Sequence, residues 1–169
     1  MGMSGENEAQ GIPIPFLGQK TVNLDDKGRL AIPSSLRDLL PGGDVKRVLV
    51  INGLDGCVFV YPANQMNQLM KRLETGRFLS QKKARQFQRQ LFYGSSVEAL
   101  DGQGRIPLSQ LQTDHAGLER KAPVTVVGNI DHIELWNPER YVAHVTAEDE
   151  DGRTLDEMAE AFFAPDTEA

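Results

Sequence analysis

Leu24-Asp25-Asp26-Lys27-Gly28-Arg29 and Leu100-Asp101-Gly102-Gln103-Gly104-Arg105 stand 76 residues apart and share the pattern Asp-x-x-Gly-Arg. At the same offset Phe16 and Gly18 meet Phe92 and Gly94, and Val48-Leu49-Val50-Ile51 meets Val124-Thr125-Val126-Val127. Asp55 falls on Asp131 and Pro62 on Pro138. One offset without a gap carries all of these pairs, whereas chance similarity scatters its offsets. The chain therefore holds an internal duplication.

Each copy reads as the same succession of elements. A short strand (20–24; 96–100) runs into the Asp-x-x-Gly-Arg turn, where Gly28 and Gly104 suit a position that needs positive φ. A second short strand follows. In the first copy a short helix comes next, capped by Ser34 or Ser35 after Pro33 and stopped by Pro41-Gly42-Gly43. A hairpin closes each copy: 47–51 with 57–61 around Asn52-Gly53-Leu54-Asp55-Gly56, and 124–127 with 132–136 around Gly128-Asn129-Ile130-Asp131. Helices are expected at 62–75, at 80–92 and from 138 to 145. The fold class is a β-rich α+β architecture made of two pseudo-twofold modules with short helices. The expected divisions are an N-terminal extension (1–15), a first module (16–62), a helical linker (63–91), a second module (92–145) and an acidic tail (146–169). Modules of about 50 residues bury too little surface to stand alone, so the two are expected to share one core.

The net charge of −6 and the pI of about 5.1 argue, taken whole, against nucleic acid. The charge is unevenly placed. Residues 146–169 hold nine acids and one base, which leaves 17 bases and 15 acids, a net of +2, for the rest. The tail reads as a solubilising, partly disordered end; a sharper reading has it competing for a basic face. A single cysteine, Cys57, fits a reducing compartment. No apolar run approaches a membrane span, and the first 15 residues lack the layout of a signal peptide, so a cytoplasmic location is expected.

In the turns, the aspartate carboxylate can accept backbone N–H groups while the arginine projects from a rigid hairpin. A forked cation so held suits phosphate contact or reading of a guanine edge. The competing reading has Arg29 and Arg105 merely locking the turn against Asp25 and Asp101. Repetition of the motif weakens that reading for the arginines and leaves it open for the aspartates. Lys27 against Gln103 makes the first copy the more basic. Lys71, Arg72, Arg77, Lys82, Lys83, Arg85 and Arg89, opposed by Glu74 alone, read mainly as a solvated helix face. Tyr61 and Trp136 read as core or interface anchors rather than base-stacking platforms. No metal-ligand spacing or phosphate loop is present, so no cofactor and no small-molecule substrate are expected. Cys57 with His132 is a weak nucleophile candidate, since a thiol opening an apolar strand is by default buried and inert.

These residues resemble the MraZ family of bacterial regulators, whose modules are similar to the swapped-hairpin DNA-binding domains of the AbrB and SpoVT type. The resemblance runs from Phe16 to Val145. It rests on Asp25-Asp26-Lys27-Gly28-Arg29-Leu30-Ala31-Ile32-Pro33, Gly53-Leu54-Asp55-Gly56-Cys57, Tyr61-Pro62, Asp101-x-x-Gly104-Arg105 and Glu134-Leu135-Trp136. It implies a ring-shaped homo-oligomer on repeated elements in the promoter of a division and cell-wall gene cluster, and hence a nucleoid-associated protein. It places DNA binding on Asp25, Lys27, Gly28, Arg29, Asp101, Gly104 and Arg105. Three departures stand out. Phe16-Leu17-Gly18 replaces the family's Phe-Arg-Gly, and the tail has no family explanation. Pro107 comes two residues earlier than Pro33 predicts, so the second copy is expected to have a distorted second strand and a weaker DNA role. Rival readings are an antitoxin-like protein-binding module, an enzyme using Asp25, Asp101 or Cys57, and a purely structural ring.

Overall fold

A computed structural model describes residues 14–75 and 81–165. Val- and Ile-rich alternating segments become strands because branched side chains pack on a pleated, half-buried surface. Six of them form one antiparallel sheet: β1 (Gln19–Asn23), β3 (Arg47–Asn52), β4 (Val58–Pro62), β5 (Ser96–Ala99), β7 (Pro123–Asn129) and β8 (His132–Trp136). Their order is β1-β7-β8-β4-β3-β5. Under the repeat β1, β3 and β4 correspond to β5, β7 and β8, so the order reads the same from either edge. The leading strand of each copy has crossed over: β1 pairs along the hairpin of the second copy, Val22 opposite Val124, and β5 along that of the first, Val97 opposite Leu49. The hairpins are swapped within a single chain.

The remaining strands, β2 (Arg29–Ala31) and β6 (Arg105–Pro107), pair only three positions, with Leu30 opposite Ile106. Backbone bonds at both ends continue the ribbon: Leu108 donates to Gly28 O at 2.8 Å, and Ile32 to Gly104 O at 2.9 Å. The second strand of the second copy is thus regular, contrary to the distortion expected from Pro107. Bonded and non-bonded pairs alternate along an antiparallel ribbon, and Pro107, opposite Arg29, occupies a non-bonded position where no ladder N–H is missed.

Side chains alternate across the sheet and build two cores. Val48 and Val50 of β3 point into the larger one with Val124, Val126, Ile133, Leu135, Leu30 and Ile106, all fully buried. Members come from both copies, as a shared core requires. Leu49 and Ile51 point the other way, toward Tyr61, Leu91 and the half-buried Met66, Leu69 and Leu73. The helices α2 (Met66–Thr75) and α3 (Gln81–Leu91) therefore cover the face opposite the β2–β6 ribbon. Asn52 ties β3 to the end of α3, donating to the carbonyls of Gln90 and Tyr93 at 3.0 Å each.

Several local expectations are corrected. The first-copy helix, α1 (Ser34–Arg37), has Pro33 at its N-cap and no side-chain cap. Lys46 holds its other end by donating to the carbonyls of Arg37 and Leu40. In the second copy Ser109 stands in place of Pro33 and forms a reciprocal capping box with Gln112, so α4 (Gln110–Ala116) runs longer. Pro62 closes β4 opposite Val48 instead of opening α2. The gapless offset also fails beyond the hairpin turn. Asn52 pairs with Val58, whereas Gly128 pairs with Ile133, so the second hairpin is one residue shorter. In β8 the structural offset is 75, which matches Tyr61 to Trp136. The first expected residue of the third helix, Ser80, lies outside the described residues. Beyond α5 (Pro138–Thr146), the acidic segment includes α6 (Leu155–Phe163), opened by a capping box between Thr154 and Glu157.

Candidate nucleic-acid interface

The ribbon brings the two Asp-x-x-Gly-Arg turns together. In the first, Asp25 Oδ1 accepts from the backbone N–H of Lys27 (2.9 Å) and of Arg29 (2.8 Å), while Oδ2 accepts from Arg29 Nε at 2.7 Å. The second repeats this: Asp101 Oδ1 accepts from Gln103 (2.9 Å) and Arg105 (3.0 Å), and Oδ2 from Arg105 Nε at 2.8 Å. Gly28 and Gly104 have φ of 78° and 73°, the left-handed region the turn demands. The backbone N–H of Arg29, held by Asp25, lowers that aspartate's pKa to about 2, reinforced by the Arg29 guanidinium and the Lys27 N–H. The same arrangement lowers Asp101.

Each arginine thus locks its turn while part of its side chain stays exposed. The Nε is committed to the aspartate, which makes the locking reading correct for that atom. Each side chain is mostly covered but keeps an open share, 31% for Arg29 and 26% for Arg105. Arg105 also reaches across the ribbon, its Nη1 lying 4.0 Å from Asp25 Oδ2. Lys27 is exposed at the tip of the first turn, as is Gln103 at the tip of the second.

Two further arginines belong to this surface and were missed by the sequence reading. Arg37, at the end of α1, donates to Gln103 O at 3.4 Å, and Arg120 donates to Asp26 O at 3.2 Å. Each copy so braces the turn of the other. Both lie outside the motif, and only the strand swap makes them neighbours of it. The basic residues of α2 and α3 belong to the opposite face of the sheet, in keeping with a solvated helix surface; Arg77 lies outside the described residues. Arg72 faces Asp131 at 3.6 Å.

Other candidates fall away from this surface. Cys57 is fully buried, its Sγ donates to Leu54 O at 3.2 Å, and burial drives its pKa far above the ordinary thiol value. That is the inert thiol, not the nucleophile. His132 stacks on Tyr61 with ring centroids 4.9 Å apart. Its Nδ1 lies 2.7 Å from Asp131 Oδ1 and its Nε2 3.2 Å from Glu134 Oε1. Carboxylates accept, so both contacts are hydrogen bonds at once only when the ring is protonated. Burial opposes the charge, but these bonds outweigh it and raise the His132 pKa. Burial likewise raises Glu134, but bonds from His132, Asn129 and Trp136 more than compensate and leave it lowered. Trp136 and Tyr61 are buried, as core anchors should be.

A third Asp-x-x-Gly-Arg turn, Asp149-Glu150-Asp151-Gly152-Arg153, went unread because it does not sit at the repeat offset. Asp149 Oδ1 accepts from the backbone of Asp151 (3.0 Å) and Arg153 (2.7 Å), and Oδ2 from Arg153 Nε at 2.6 Å. The bonds are those of the other two turns, formed here where no strand ribbon follows. Its tip is acidic where the first turn carries Lys27.

Among the described residues, no helix is long and apolar enough to cross a membrane. The family described as "MraZ protein, putative antitoxin-like" matches the chain twice, over residues 16–90 and 91–161. Proteins named Transcriptional regulator MraZ align over most of the length. The one from Saccharopolyspora erythraea is 35% identical over 80% of this chain and 90% of its own. That of Corynebacterium jeikeium is 36% identical over 88% and 99%, and that of Thermomicrobium roseum 38% identical over 76% and 85%. With both repeats matched and the swapped fold in place, this chain belongs to the MraZ family.

Proposed function

We propose that the protein is a sequence-specific DNA-binding transcriptional regulator that works in the cytoplasm, on the nucleoid, as a homo-oligomeric ring over repeated promoter elements of a division and cell-wall gene cluster. The relatives' name, transcriptional regulator, supports the first part. The observation that carries it is the pair of turns held side by side on the β2–β6 ribbon, each with an arginine fixed by its own aspartate. In this reading Lys27, Arg29 and Arg105 meet DNA. Asp25, Asp101, Gly28 and Gly104 hold the turns in shape, because both carboxylate oxygens of each aspartate are already engaged. Arg37 and Arg120 brace them. One pair of turns binds weakly, and a ring multiplies the contact through effective concentration.

The test is fluorescence anisotropy with a duplex from upstream of the chain's own gene against a scrambled duplex, at several salt concentrations. The expected outcome is preferential binding that weakens steeply with salt and drops at least tenfold in Lys27→Ala and in Arg29→Ala, with the oligomer intact. Equal binding to both duplexes, unchanged by the substitutions, rejects the proposal. The antitoxin-like reading predicts co-purification of a small basic protein partner.

A further inference from the structure

We infer that α6 of one copy seats in a groove on a second copy, so that the acidic end of the chain is an assembly element. The groove, about 660 Å³, lies between the turn after β3 and α3. Leu54, Phe87, Leu91 and Tyr93 give it an apolar lining, and Arg89, His115 and a single acid, Asp55, line it as well. Leu54, Phe87 and Tyr93 are 57%, 36% and 63% exposed. On the other side, α6 presents Leu155, Phe162 and Phe163, exposed by 70%, 81% and 77%. Residues 155, 158, 159 and 162 fall at helical spacing, so Leu155, Met158, Ala159 and Phe162 form one apolar stripe.

Charge assigns the occupant. Between Gln81 and Leu91, α3 carries Lys82, Lys83, Arg85 and Arg89 and no acid. Between Leu155 and Phe163, α6 carries Asp156, Glu157 and Glu160 and no base. Apolar surfaces with opposite charges are complementary. Both stand uncovered in the same chain, so the helix does not fill its own groove, and a second copy supplies the match. Each copy then offers one helix and one groove, a head-to-tail contact of the kind that closes into rings. The inference rests on the homo-oligomer reading above and assigns a surface to it.

Full-length Phe87→Cys and Phe162→Cys chains, purified separately, are mixed and treated with a short bis-maleimide; the native Cys57 is buried and contributes little background. The expected product is a dimer carrying an 87–162 cross-link, identified by mass spectrometry. In parallel, Phe162→Ala/Phe163→Ala is expected to need at least tenfold more protein to assemble in sedimentation, with an unchanged melting temperature for the monomer core. An 87–162 link found only within single chains of the double-cysteine variant overturns the inference. So do mixed cysteine chains that assemble but give no such link, with an oligomer that survives the double alanine change, although the ring proposal then stands. A wild-type chain that sediments as a monomer at all concentrations overturns both.

Discussion

At the residue scale the aspartates decide how the turns respond to acid. A carboxylate whose folded pKa is lowered contributes stability that is full above its unfolded value, about 4, and is lost as pH falls through the folded value. For Asp25 that loss falls between pH about 4 and about 2. Titration followed on the Asp25 carboxyl carbon by NMR should therefore show a midpoint well under 4, and a midpoint at the ordinary value would contradict the lock. The His132–Glu134 pair has two limits. His132, raised, contributes fully below its ordinary value of about 6.5, and that share is lost as pH climbs through its folded pKa. Glu134, lowered, contributes above about 4.3, and its share is lost on acidification. Stability should thus have a plateau between about pH 4.3 and 6.5. Glu134→Ala removes the acceptor of Trp136 Nε1, bonded at 2.7 Å, and of His132. A buried donor left unpaired costs about 1–3 kcal/mol, so urea unfolding of this variant should show a loss of that order and a lower His132 pKa.

Element by element, the chain was readable where local chemistry decides and unreadable where distant segments do. The two repeated turns, both hairpins and the positions of α2, α3 and α5 follow from Gly, Pro and alternation, whereas α6 and the Asp149 turn were not read although their signals are local. The crossing of β1 and β5 does not, because nothing within 76 residues of Asp25 says which hairpin its strand will pair with. For the same reason Arg37 and Arg120 were not legible as parts of the site. The Ser34 and Ser35 caps were misread because Pro33, two residues past the end of β2, already occupies the cap position. The two turn glycines separate these influences. Both need positive φ, so alanine strains either. A Cβ on Gly28 would have ordinary contact with Leu108 O at 3.5 Å, while one on Gly104 would collide with the Arg37 guanidinium. Gly104→Ala should lower the melting temperature more than Gly28→Ala, and Arg37→Ala should narrow the difference; an equal loss at both sites would show that Arg37 gives way freely.

For the whole molecule, the palindromic sheet order has a consequence for inheritance and engineering alike. A chain whose leading strands are exchanged between its halves is a tethered dimer, and among the described residues its linker adds no strand to the sheet. Fragments 1–77 and 78–169, co-expressed, should find each other and restore the six-stranded sheet, while either fragment alone keeps an exposed strand edge and pairs with itself or aggregates. Two-colour affinity tagging of the fragments, with circular dichroism of the product, tests this; halves that fold separately and ignore each other would contradict it. On this view a gene encoding one module, dimerising by exchange, could become the present chain by a single fusion without inventing any new contact. Thereafter the two turns were free to diverge, Lys27 on one and Gln103 on the other, into a reader with a stronger and a weaker hand.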